Sequence, residues 1–101
     1  MVNRMYRRGR AKEYRAMELL RKDGWMVGRS AGSHSPVDLF AAREGRRLLV
    51  QVKSRSARIR ESELMELVRW AEAFDADAEV WSFRNGRGLE KKKVHASTRA
   101  E

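Results

Sequence analysis

At 101 residues the chain suits one domain, residues 1–101, with a modest core and little room for a second lobe; chains this small often gain stability by pairing. It has no cysteine and its two histidines, His34 and His95, lie far apart, which excludes disulfides and the usual zinc spacings; no apolar run is long enough to span a membrane. Lys and Arg number 23 against 14 Asp and Glu, and the net charge of +9 points to a polyanion, with a solvated basic surface on a heat-adapted protein as the plainer alternative.

Residues 1–7 form a basic arm, and 8–23 read as a helix. Glu13, Ala16, Met17 and Leu20 share one face of a 3.6-residue period, and Gly24 suits the position just past the helix end. The Arg-rich start resembles a transit peptide, but Glu13 and Glu18 fall within it. The protein therefore reads as cytoplasmic (in a host cell's cytoplasm if viral), with Met1 as its natural start. Residues 25–29 form a short strand and 30–35 a Ser/Gly loop. Two further strands, 36–42 and 46–53, are joined by a tight turn at Glu44-Gly45. After a basic loop, 61–74 make a second helix carrying Leu64, Leu67, Val68, Ala71 and Phe74 on one face. Strands at 78–83 and 89–95 close the chain as a hairpin around residues 85–88, and the tail from Ala96 is expected to fray. The order is α-β-β-β-α-β-β.

The middle hairpin carries the chemistry. A turn at Glu44-Gly45 pairs Arg43 with Arg46 and sets Asp38 opposite Gln51, with Cβ atoms roughly 5 Å apart. Alternation puts Leu49, Gln51 and Lys53 on one face. The strand is otherwise apolar, so its polar residues are costly unless paired or given a task. Glu13, on the apolar stripe of the first helix, poses the same problem and could point at Asp38. The oxygens of Glu13, Asp38, Gln51 and the Val52 carbonyl suit Mg²⁺, which prefers hard ligands. Such an ion polarises a phosphate and activates water, while Lys53 stabilises phosphoryl charge. The alternative is a structural Asp38–Lys53 ion pair.

These residues look like the signature of the PD-(D/E)xK nuclease superfamily: Pro36-Val37-Asp38, twelve residues, then Gln51-Val52-Lys53. A longer pattern resembles the archaeal Holliday junction resolvases. It comprises Tyr6-Arg7-Arg8-Gly9, Glu13, Arg29-Ser30-Ala31-Gly32-Ser33 and Val37-Asp38-Leu39, with similarity from about residue 6 to 94. The resemblance implies an α/β fold with a mixed five-stranded sheet flanked by helices. It implies a Mg²⁺-dependent endonuclease acting on four-way DNA junctions in recombination and repair, with Mn²⁺ as a substitute metal and no small-molecule cofactor. Glu13 and Asp38 would be metal-site acids, Lys53 the catalytic lysine, and Arg8, Arg29 and the Ser30 to Ser33 loop neighbours of the scissile phosphate, Ser30 among the catalytic groups. It also implies a homodimer, with Trp70 and Phe74 at the interface.

Arg7, Arg8, Arg10, Lys12, Arg29, Ser33, His34, Arg55, Arg58 and Arg60 would bind DNA backbone around the site. Trp70 lies off the Leu64-Leu67-Ala71 stripe, as expected for a residue needing another partner; the alternative is that Trp70 and Trp81 cover each other within a monomer. The Lys91-Lys92-Lys93 run reads as a solvated strand edge that discourages aggregation. The family has Glu where this chain has Gln51, which keeps a ligating oxygen and loses a charge. A working variant, a decayed binding domain and a deliberate substitution all stay open, as does a general repair or restriction-type nuclease. The loop 55–60 is shorter than the resemblance implies.

Overall fold

The computed structural model describes residues 4–30, 35–54, 59–84 and 88–98, with the backbone alone for residues 4–9 and 54. The elements follow the expected order: α1 (Arg4–Lys22), β1 (Met26–Arg29), β2 (Leu39–Arg43), β3 (Arg46–Ser54), α2 (Glu61–Phe74), β4 (Asp77–Arg84) and β5 (Gly88–His95). Helix α1 begins four residues earlier than its apolar periodicity suggests, so part of the expected basic arm is helical. No apolar stripe is needed there, because Arg and Met are good helix formers.

The strands lie in the order β1-β2-β3-β4-β5, antiparallel except for the parallel β3–β4 pair, giving a mixed sheet. The β2–β3 hairpin turns through Glu44 and Gly45 at φ values of 50° and 80°. Two successive positive φ angles define a type I′ turn, whose twist matches the strands and which fixes Arg43 opposite Arg46. Helix α1 ends at Gly24, with φ at 90°, where Trp25 N–H bonds to Leu20 O and Gly24 N–H to Arg21 O.

Each sheet face carries one helix. Ala16, Met17 and Leu20 of α1 pack on Leu39, Ala41, Leu48, Val50 and Trp81. Leu67 and Ala71 of α2 pack on Val37, Leu49, Ala78 and Val80. Successive β3 residues thus alternate between the two cores, as a strand covered on both sides requires. No helix among the described residues is long and apolar enough to cross a membrane.

Of the tail expected to fray, the described residues Ser97 and Thr98 are tied down. Ser97 N–H bonds to Asp77 Oδ1, and Asp75 Oδ1 accepts from the Ser97 hydroxyl and from both the amide and hydroxyl of Thr98. These bonds, that from the Thr98 amide foremost, hold the Asp75 carboxyl below the usual range. Two carboxylates beyond α2 thus supply acceptors for Ser97 and Thr98, which follow the end of β5. At the far edge of the sheet, Lys91, Lys92 and Lys93 are exposed on β5, with the Lys91 ammonium 4.4 Å from the centre of the Trp81 ring.

Candidate active site

Three strand ends meet at Asp38. Regular β2–β3 pairing stops at Leu39–Val50. Asp38 does not continue it opposite Gln51, as the extrapolated register predicts. Its amide instead donates to Val50 O at 2.9 Å, and its carbonyl accepts the Ser30 N–H at the end of β1, also at 2.9 Å. Its carboxylate Oδ2 accepts the Val52 N–H at 2.7 Å. The side chain thus takes the place of the strand partner that β3 loses where β2 leaves the sheet, which fixes one carboxylate oxygen.

Burial pushes the Asp38 carboxyl up to about 6 from its ordinary 3.8. The Val52 N–H opposes the rise, the Glu13 charge adds to it, Lys53 opposes it and Glu63 adds to it. Charges from both sides of the sheet are therefore felt at one carboxylate. Glu13 comes from α1 and is held by Arg29 at 3.3 Å, whose guanidinium lies 5.5 Å from the centre of the half-exposed Tyr14 ring. Lys53 comes from β3. Its ammonium bonds to both carboxylate oxygens of Glu63 on α2, at 3.4 and 3.3 Å, where a pair with Asp38 was the sequence-based alternative.

Gln51 is only 6% exposed, and its Oε1 has no hydrogen-bond partner among the described residues. A buried, unsatisfied acceptor costs about 1–3 kcal/mol. A neutral amide oxygen of this kind can serve a hard cation such as Mg²⁺, as can the carboxylates of Glu13 and Asp38. Among the described residues no three His, Cys, Asp or Glu side chains cluster as metal ligands. For Val52 the structure engages the backbone N–H, through Asp38.

Of the expected phosphate-binding residues, Arg10 and Lys12 are half-buried on α1, Arg29 and Ser30 lie at the end of β1, and Arg60 is exposed just before α2. The side chains of Arg7 and Arg8, and residues Ser33, His34, Arg55 and Arg58, lie outside the described residues. Trp70 and Trp81 do not cover each other: Trp81 belongs to the α1-side core and Trp70 to the α2 side. Trp70 instead stacks on Phe74 at 6.0 Å, and Phe74, 43% exposed, also meets Phe40.

Glu63 is the site neighbour that the sequence reading missed. Its sequence signal is an acid at the third position of a helix, which reads as a capping device. It does serve as one, since Oε1 accepts the Arg60 N–H at 3.1 Å. The β3–α2–β4 crossover, however, brings that first helical turn back beside the end of β3, where Lys53 is. The Arg60 N–H, and then the Lys53 charge, hold the Glu63 carboxyl below its ordinary range.

Comparison with known proteins bears on the family and the fold. The sequence model of the archaeal Holliday junction resolvase (Hjc) family matches residues 4–96. The structure is similar to that of Hjc, a Holliday junction resolvase from the archaeal hyperthermophile Archaeoglobus fulgidus, with a TM-score of 0.77 and 27% identity, over 93% of this chain and 79% of that one. No match was found among curated proteins.

Proposed function

Because this chain belongs to the archaeal Holliday junction resolvase family, we propose that it cuts four-way DNA junctions by paired, Mg²⁺-dependent hydrolysis of phosphodiester bonds. The observation that carries the reading is the partly buried Asp38 carboxylate, one oxygen of which is fixed by the Val52 N–H, beside a strand whose Gln51 oxygen is buried and unpartnered among the described residues and whose Lys53 is paired with Glu63.

Glu13, Asp38 and the Gln51 amide oxygen are the residues that would hold the ion. When bound, Mg²⁺ supplies charge stabilisation at a phosphate oxygen and a more acidic water. Asp38 is pre-oriented for this role, because the Val52 N–H fixes one of its oxygens. Arg29 restrains Glu13 through their ion pair. Lys53, only 19% exposed and tethered by Glu63, presents a fixed positive charge to a phosphoryl group. Ser30 is tied to Asp38 through the backbone and enters the loop expected at the scissile phosphate.

Arg7, Arg8, Arg10, Lys12, Arg29, Ser33, His34, Arg55, Arg58 and Arg60 would contact the backbone of the junction arms, reading shape with little base sequence. A four-way junction needs two matched cuts, which two copies about a two-fold axis provide. The exposed Phe74 and its stack with Trp70 on the outer part of α2 suit that interface. Nothing in the chemistry calls for a membrane or an organic cofactor, and the cytoplasm is the fitting compartment.

The test is a labelled four-way junction incubated with and without Mg²⁺. Symmetric paired nicks near the crossover are expected with the metal alone, and Asp38→Asn should bind the junction without cutting it. Equal cleavage by that variant would overturn the site, and degradation of flaps and plain duplex alike would overturn junction selectivity. The neutral Gln51 favours a second reading, a junction-binding domain with a decayed metal site. An inert parent that gains cleavage with Gln51→Glu would establish it.

A further inference from the structure

Charge balance at the site leaves one requirement open. Around Asp38, Glu13 is paired with Arg29, residue 51 on the adjoining strand is an uncharged Gln, and Lys53 brings a positive charge. A divalent cation there would meet two acids, one already paired, beside a largely desolvated ammonium. Such like-charge opposition is costly where water is excluded.

Glu63 answers it. Both its oxygens lie on the Lys53 ammonium, and its Oε1 is fixed by the Arg60 N–H in the first turn of α2. Helix capping needs only that backbone bond. The grip on Lys53 is additional, and it acts from a side of the sheet where Gln51 supplies no acid. We propose that Glu63 is a positioning residue of this site, which holds Lys53 and supplies through it the negative charge that Gln51 does not bring. The inference rests on the metal-dependent reading above and adds a residue to it.

The helix cap and the charge can be separated. Glu63→Gln keeps an acceptor at the capping position, since Gln serves there as well as Glu, and removes only the charge. Mn²⁺ affinity, measured by titration calorimetry on the whole protein without DNA, should fall about tenfold or more, as for other groups that act behind a metal's ligands. The thermal transition should stay cooperative, which shows that the fold is kept even though Lys53 loses its ion pair. The double variant Gln51→Glu, Glu63→Gln should regain the parent's Mn²⁺ affinity, because a carboxylate returns to the site by the other route. Unchanged Mn²⁺ binding by Glu63→Gln, or a double variant that stays weak, would overturn the inference and leave the nuclease reading standing. A parent that takes up no Mn²⁺ would overturn both.

Discussion

Replacing Asp38 by Asn should abolish cleavage and, in metal-free buffer at neutral pH, make the protein more stable. The folded state holds the Asp38 proton more tightly than the unfolded chain, since burial moves the carboxyl from 3.8 to about 6. Its ionised form is therefore a cost to folding. That cost is absent below about pH 4, grows as pH rises from 4 to 6, and is constant above. A shift of about two units corresponds to about 3 kcal/mol; discounted for the side chain's partial exposure to water, about 1–2 kcal/mol remains. Asn removes the charge, and its amide oxygen can still accept the Val52 N–H. For a domain of this size the thermal midpoint should rise by about 5–10 °C at pH 7.5. The gap should close near pH 4, and saturating Mg²⁺ should stabilise the parent alone. Melting curves across pH for the two proteins decide it. Equal midpoints at pH 7.5, or a variant that melts lower, would refute the claim that Asp38 is an electrostatically costly carboxylate awaiting a cation.

Arg29→Met should loosen Glu13 and remove one phosphate contact, so junction affinity should fall and the log–log salt slope should flatten by about 0.9; fluorescence anisotropy over a salt series reads both. Trp70→Glu places a charge on the aromatic surface of α2, and sedimentation should show a dimeric parent and a monomeric variant; an unchanged assembly would place the interface elsewhere.

Much of the fold can be read from the sequence because its signals are local. The Leu64–Leu67–Ala71 spacing marks α2 at the bounds observed, and Glu44-Gly45 sets the hairpin register down to Leu39–Val50. Gly24 ends α1 where its freedom at positive φ is needed. What escapes is tertiary. The departure of Asp38 from the ladder follows from its carboxylate taking the Val52 N–H, a bond that no alternation pattern encodes. The Lys53–Glu63 pair depends on where a crossover helix returns. The pinned tail depends on Asp75 and Asp77, which lie about twenty residues away in sequence. The separate burial of Trp70 and Trp81 depends on which sheet face each residue meets. The chemical residue types at the site are legible; the partners that hold them are not.

The most direct measurement of the central claim is the position of a bound ion in crystals soaked with Mn²⁺. The account predicts an anomalous peak in coordination contact with Asp38, Glu13 and the Gln51 Oε1, at about the 2.0–2.1 Å expected for a Mg²⁺-type site. A peak elsewhere on the molecule, or none while Asp38 stays bonded only to Val52, would contradict it.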